Sequence, residues 1–128
     1  MNDGGKIKEF TDLKAWQEAH KLVVLIYGET RRFPREEVFG LTSQIRRAVI
    51  SVTSNIAEGF GRQGYKEKVQ FYYLAHGSLT EVKNQILAAH DIGFIDQKVK
   101  FSLLEQANIA HQLLQGLIKK SKEFIREL

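Results

Sequence analysis

Apolar residues recur along most of the chain at spacings of three and four, and no segment of useful length alternates with period two. Spacings of three and four place side chains on one face of an α-helix, whereas half-buried strands require alternation. A single proline, Pro34, interrupts the sequence. The pattern therefore predicts an all-α protein built from four amphipathic helices.

The first predicted helix runs from residue 12 to about residue 32, with Thr11 or Asp12 as its N-cap. Phe33 and Pro34 end it, because the residue before a proline is pushed out of the α region. The second helix begins near Thr42 and ends at residues 59–61. The predicted inward positions of these two helices are Trp16, Ala19, Val23, Ile26 and Phe33, followed by Leu41, Ile45, Ala48, Val52 and Ile56.

The third predicted helix spans residues 65–91, with Gly93 as a left-handed cap, and the fourth begins after Asp96 as N-cap. The fourth helix carries a heptad-like stripe typical of a bundle seam. The inward positions are Val69, Tyr72, Leu79, Val82, Ile86 and Ala89 on the third helix, and Leu103, Ala107, Ala110, Leu114, Leu117, Ser121, Phe124 and Leu128 on the fourth.

Short connections between long helices favour antiparallel neighbours, so the sequence predicts an antiparallel up-down-up-down four-helix bundle. A chain of 128 residues can bury one core of this kind. We expect residues 1–128 to form a single domain, with residues 1–10 as a flexible amino-terminal segment.

The composition excludes several kinds of chemistry. The sequence has no cysteine, so disulfides, thiolate metal sites and thiol nucleophiles are absent. Its polar amino terminus and the lack of a stretch of about 20 apolar residues predict a cytoplasmic protein with no membrane partner. No glutamate has a histidine three residues later, as a di-iron bundle would need. The sequence GFGRQG at residues 59–64 matches the letters of the G-x-G-x-x-G pattern of dinucleotide-binding sites. It follows a predicted helix, whereas that pattern follows a strand, so it does not predict a dinucleotide site.

We therefore predict a protein that is not an enzyme and has no cofactor and no bound metal. The histidines, His20, His76, His90 and His111, are spread over three predicted helices. They could form a metal or general-base site only if helix packing brought them together; the alternatives are hydrogen bonds between helices and simple surface placement.

Lysines and arginines outnumber acidic residues by 19 to 15, and six of the seven arginines lie between residues 31 and 62. The predicted topology makes both ends of the bundle basic, which indicates a polyanionic partner such as RNA or DNA. Solvated helix ends, or ion pairs with Glu36, Glu37 and Glu58, are the alternative. The candidate nucleic-acid-binding residues are Arg31, Arg32, Arg35, Arg46, Arg47, Arg62, Lys66, Lys119 and Lys120.

Two further features of the pattern bear on assembly. A polar stripe on the second helix includes Ser54, Asn55 and Glu58, and we interpret it as a structural hydrogen-bond network in which Asn55 and Glu58 contact the backbone near Gly59. Apolar residues off the inward stripes predict a homo-oligomer, with a broad-cored monomer as the alternative. These apolar residues are Leu22, Leu25, Phe71, Leu74, Leu104 and Ile118.

Four phrases of the sequence resemble the four-helix-bundle proteins encoded in intervening sequences of bacterial 23S ribosomal RNA. They are FTDLKAWQEAHKL, FPREEVFGLTSQIRRA, SNIAEGFGR and GSLTEVKNQI. That family commonly has a proline before SNIAEG, whereas this chain has Val52 and Thr53, which predicts a straighter second helix. Position 64, where the family pattern leads us to expect a serine cap, is glycine.

The resemblance implies a bacterial, non-enzymatic protein that assembles into a ring-like homo-oligomer, a pentamer. Accessory proteins of diversity-generating retroelements are more distantly similar, and they imply nucleic acid and a protein such as a reverse transcriptase as partners. The leading hypothesis is thus an oligomeric nucleic-acid-binding accessory protein. The alternative is a protein-interaction scaffold with no nucleic-acid role.

Overall fold

The structure, a computed structural model, describes residues 6–127 and consists of four α-helices. They are α1 (Lys14–Thr30), α2 (Leu41–Phe60), α3 (Tyr65–Asp91) and α4 (Gln97–Glu127), with short 3-10 turns at Phe10–Asp12 and Arg35–Glu37. The all-α prediction is confirmed. Part of the predicted amino-terminal segment, residues 1–5, and the last position of the α4 stripe, Leu128, lie outside the described residues.

The helices form the predicted antiparallel bundle. Each helix packs against its neighbours in sequence, and α1 also packs against α4, while the diagonal pairs do not approach each other within residues 6–127. Hydrogen bonds between helices fix the register: Ser51 Oγ lies 2.9 Å from Ser78 Oγ, and Gln106 Nε2 lies 2.8 Å from the carbonyl oxygen of Glu18. The short links at residues 61–64 and 92–96 reverse the chain and produce the up-down-up-down order.

Most predicted helix ends are confirmed. Asp96 Oδ1 accepts a hydrogen bond from the Val99 backbone N–H at 2.8 Å, as an N-cap does, and Gly93 adopts φ 90° after α3. α2 is one uninterrupted helix. Gly64 is the N-cap of α3 and has no side chain with which to accept a hydrogen bond.

The predicted cap of the first helix is wrong. The N-cap of α1 is Leu13, with no side-chain cap bond, and helix α1 begins two residues later than predicted. Asp12 Oδ2 instead accepts the backbone N–H groups of Lys8 and Glu9, both at 3.0 Å, and so closes the 3-10 turn before the helix. The Asp12 carboxylate is therefore bonded within the preceding 3-10 turn and does not cap α1.

The core lies along the bundle axis and is wider than the predicted stripes. Leu22 and Ile118 lie outside the predicted stripes, yet they are only 0% and 6% exposed. Each helix packs against two neighbours, so its buried face spans more than one row of side chains. Leu25 and Leu74 remain 38% and 57% exposed.

The carboxyl-terminal part of the α4 stripe departs from the prediction. Phe124 is 38% exposed and stacks on the Tyr65 ring with centroids 4.8 Å apart. Leu13 and Lys14, where α1 begins, lie beside Leu117 and Lys120, so the last turns of α4 extend past the start of α1. The stripe continues there without a fourth helix to cover it.

Candidate nucleic-acid interface

Three of the predicted arginines are exposed at the corner between α1 and α2. Arg31 is the C-cap of α1, Arg32 follows it, and Arg35 opens the 3-10 turn Arg35–Glu37. Within residues 6–127, none of these three guanidinium groups is paired with a carboxylate. We call Arg31, Arg32 and Arg35 the corner arginines.

Glu37, an acidic residue beside the corner arginines, has another role. Glu37 Oε1 accepts the Leu41 backbone N–H at 2.9 Å, where α2 begins. An anion at a helix N-terminus is stabilised by the unpaired N–H groups and by the helix dipole. Glu37 therefore caps α2 and does not form the ion pair with an arginine that the alternative interpretation predicts.

Arg46 and Arg47 belong to the same end of the bundle but are held by the protein itself. Arg46 Nε donates to Thr30 Oγ1 at 2.8 Å, and its guanidinium lies 4.7 Å from the centroid of the Tyr27 ring. Thr30 is buried and donates in turn to the Ile26 carbonyl oxygen at 2.7 Å. Arg47 hydrogen bonds to Gln44 on the same helix. Arg46 thus joins α2 to the end of α1, a structural contact between helices.

At the opposite end of the bundle, Arg62 is largely engaged. Its guanidinium lies 3.3 Å from Glu58 and 4.0 Å from Glu67, and it stacks over the Phe71 ring at 4.6 Å. Lys68 Nζ donates to the Phe60 carbonyl oxygen at 2.6 Å, and burial lowers the pKa of Lys68. Lys66 is exposed.

Lys119 and Lys120, although adjacent in sequence, lie on different faces of α4. Lys119 lines a groove of about 340 Å³ between α3 and α4, whereas Lys120 lines a hollow on the α1 side together with Leu13 and Leu117. The basic residues predicted at this end therefore do not share one surface. The residues lining the α3–α4 groove are Tyr73, His76, Gln115, Ile118, Lys119, Lys122 and Arg126.

The polar stripe on α2 makes hydrogen bonds different from those predicted. Asn55 Nδ2 donates to the carbonyl oxygen of Ser51 at 2.9 Å and to its Oγ at 3.0 Å, and Ser51 reaches Ser78 on α3. Glu58 accepts from Arg62 instead of contacting the backbone near Gly59, and Ser54 is exposed in a shallow hollow beside Glu58. The network that joins α2 and α3 is formed by Ser51, Asn55 and Ser78.

Two of the four histidines are brought together by helix packing. His111 Nε2 on α4 lies 2.7 Å from His76 Nε2 on α3, and the Lys83 ammonium contacts His111 Nδ1. Burial, with smaller contributions from Lys83 and His76, lowers the pKa of His111 to about 4. No group of three or more histidine, aspartate or glutamate side chains within residues 6–127 is placed to hold a metal ion. The pair joins the helices by a hydrogen bond.

The α3–α4 groove was not identified from the sequence as a site. Its α4 side could have been found, because Gln115, Lys119, Lys122 and Arg126 recur at spacings of three and four. Its α3 side depends on the register of two antiparallel helices, which the sequence pattern does not give.

The comparisons with known proteins agree with this architecture. A comparison with curated proteins gives no match. The solved structure of a protein of unknown function from the S23 ribosomal protein family, from Bacteroides thetaiotaomicron, is similar with a TM-score of 0.75. It is 18% identical in sequence, and the alignment covers 82% of this chain and 95% of that chain. At this identity the likeness shows the fold alone.

No helix within residues 6–127 combines the length and the apolarity needed to cross a membrane.

The family model described as 23S rRNA-intervening sequence protein matches residues 11–116, which include most of the bundle. The chain therefore belongs to the 23S rRNA-intervening sequence protein family.

Proposed function

We propose that this chain is a non-enzymatic, homo-oligomeric protein that binds RNA or DNA through cationic side chains. The observation that carries the proposal is the group of corner arginines, which are exposed and have no carboxylate partner within residues 6–127. The formal net charge of +4 adds a favourable field for a polyanion. The resemblance to retroelement accessory proteins points to the same class of ligand.

The physical basis is phosphate recognition. A guanidinium group presents a planar fork of N–H donors that matches two phosphate oxygens, and it stays charged at all physiological pH values. Each phosphate that it neutralises releases a condensed counterion, which favours binding at low salt. A homo-oligomer, for which the resemblance implies five copies, would repeat the corner arginines around the assembly and strengthen the field.

The proposal predicts salt-dependent binding that depends on the corner arginines. Fluorescence anisotropy would measure the affinity for a structured RNA hairpin and a DNA duplex over a salt series. Replacing all three with glutamine, R31Q/R32Q/R35Q, should weaken binding at each salt concentration. It should also reduce the salt slope by up to about 3, because about 0.9 counterions are released per phosphate contact.

The matched control removes the same charge elsewhere. K6Q/K14Q/K66Q also lowers the net charge by three; these exposed lysines lie before α1 and in the first turns of α1 and α3, at the end of the bundle opposite the corner arginines. This control should bind more tightly than the arginine variant. Equal losses in the two variants would show that the corner is not the site. Undetectable binding of the wild-type protein at low salt would overturn the proposal itself.

The second candidate function is a protein-interaction scaffold. It is favoured by large apolar side chains that the chain leaves exposed, among them Phe39 at 93% and Phe101 at 65%. Apolar residues in contiguous exposed patches are typical of interaction surfaces. If the wild-type protein fails to bind either nucleic acid in the anisotropy series, this second function becomes the better account of the exposed residues.

A further inference from the structure

The α3–α4 groove combines cations and an exposed aromatic ring. Lys119, Lys122 and Arg126 line it from α4, and none of its lining residues is a carboxylate. Tyr73 lines it from α3, is 46% exposed, and has the Lys122 ammonium 4.9 Å from its ring centroid. Since none of the three α4 cations forms an ion pair within residues 6–127, their charges are available to a ligand.

Hydrogen bonds from Lys83 through His111 determine which ring nitrogen of His76 carries a proton. The Lys83 ammonium has only donors, so His111 Nδ1 must accept from it and His111 Nε2 must carry the proton of the neutral ring. His111 Nε2–H then donates to His76 Nε2, and the neutral ring of His76 carries its own proton on Nδ1. These hydrogen bonds therefore leave His76 with a free N–H donor.

The α4 side of the groove is long enough to contact an extended ligand. From Gln115 to Arg126 its α4 side measures about 17 Å at 1.5 Å per residue. That length matches about five nucleotides stacked at 3.4 Å along one strand. Proteins that bind single strands combine a positively charged groove with aromatic rings on which bases stack.

We propose that the α3–α4 groove binds single-stranded nucleic acid, with Lys119, Lys122 and Arg126 contacting phosphates, Tyr73 stacking on a base, and His76 donating a hydrogen bond. The proposal rests on the proposed nucleic-acid function but concerns a different surface from the corner arginines. An acidic peptide could satisfy the cations, but it would leave the exposed Tyr73 ring without a stacking partner.

The test compares Y73A with two controls in anisotropy measurements on an unstructured 12-nucleotide RNA and DNA and on a DNA duplex. Y73A should weaken single-strand binding at least about fivefold, because stacking on an aromatic ring contributes about 1–3 kcal/mol per base. Y73F keeps the ring and should bind as the wild type does. N84A removes an exposed side chain of α3 that does not line the groove and should also leave binding unchanged.

The charges of the groove are tested separately. K119Q/K122Q should lower the salt slope for the single strand by about 1.4, from about 0.7 per contact, with K14Q/K98Q as the charge-matched control. A poly-glutamate 12-mer should bind more weakly than the 12-nucleotide strands. Equal binding of the peptide, with no effect of Y73A, would identify a general anion surface and overturn the proposal.

The outcomes separate this proposal from the proposed function. If Y73A and K119Q/K122Q bind single strands normally while R31Q/R32Q/R35Q loses affinity, the groove proposal fails and the nucleic-acid function stands. If the wild type binds nothing, both fail. A fall in the mass of the assembly caused by Y73A, measured by light scattering, would assign Tyr73 to a subunit interface and overturn the groove proposal.

Discussion

At the scale of single residues, glycines in this chain serve different purposes that the sequence does not distinguish. Gly59 lies at the predicted end of the second helix, and in the structure it is a buried residue in the last turn of α2. A Cβ atom at Gly59 would lie 2.7 Å from Tyr72 Cε1 and 3.0 Å from Phe71 Cβ. Gly77, within α3, would have no atom within 4 Å of its Cβ. The first glycine permits close helix packing, and the second has no such role within the chain.

These two glycines predict stability changes of opposite sign. Gly59→Ala should lower the free energy of unfolding by about 1–3 kcal/mol, because Tyr72 is 2% exposed and cannot move away without disturbing the core. Gly77→Ala should raise it by about 0.5–1 kcal/mol through helix propensity. Urea unfolding followed by circular dichroism would measure both. A neutral Gly59→Ala would mean that α2 and α3 are farther apart than the structure shows.

The contact between His76 and His111 predicts a pH dependence of stability. The pKa of His111 falls from 6.5 to about 4 in the folded chain, so the unfolded chain binds more protons between these values. Stability from this group is therefore complete above about pH 6.5 and is lost as the pH falls toward 4. The groups facing the His111 ring are His76 and Lys83, both on α3.

Urea unfolding at pH 7.5 and pH 5 would measure this effect. The wild type should lose roughly 1 kcal/mol more than H111Q between the two pH values, a discounted figure because His111 is only half-buried. H20Q removes a histidine from the exposed side of α1 and should keep the wild-type pH dependence. If H111Q and the wild type lose the same stability, His111 is protonated alike in the folded and unfolded chains.

At the scale of helices, periodicity predicted most of the fold. The spacing of apolar residues gave four helices, and local signals such as Asp96 and Gly93 gave their ends correctly. The cap at Asp12 was wrong because an acidic side chain can serve either of two adjacent turns, and local sequence does not decide between them. Leu22 and Ile118 were placed outside the core because a single stripe ignores the second neighbour of each helix.

The candidate site was less predictable than the fold. Clustering in sequence correctly indicated that the arginines between residues 31 and 47 share one end of the bundle. It could not show that Arg46 contacts Thr30 and Tyr27, since that contact depends on how α1 and α2 are rotated. The same rotation places Lys119 and Lys120 on different faces of α4. Side-chain partners across helices require the packed structure.

At the scale of the whole molecule, α4 has an outer face with two different characters. Near its carboxyl-terminal end the face is basic and forms the α3–α4 groove. Near its amino-terminal end it has a hollow of about 440 Å³, in which Phe101, Leu104 and Ile109 are apolar. The other lining residues are polar and are Gln97, Lys100, Glu105, Asn108 and Gln112. Protein interfaces commonly combine apolar and polar side chains in this way.

The proposed homo-oligomer makes this hollow a testable subunit contact. Light scattering after size exclusion should give a mass well above the 14.7 kDa of one chain, and five times that value for the pentamer. Phe101→Asp should shift the mass toward that of one chain, because a charge would replace an exposed apolar side chain that lines the hollow. Ser102→Asp, at the neighbouring exposed position, is the matched control and should leave the assembly intact. A wild-type mass of one chain would contradict the oligomer, whereas an oligomer unaffected by Phe101→Asp would place the contact on another face. If the protein is a monomer, a nucleic acid contacts only the three corner arginines of one chain, and its affinity would have to come from the charge of that chain.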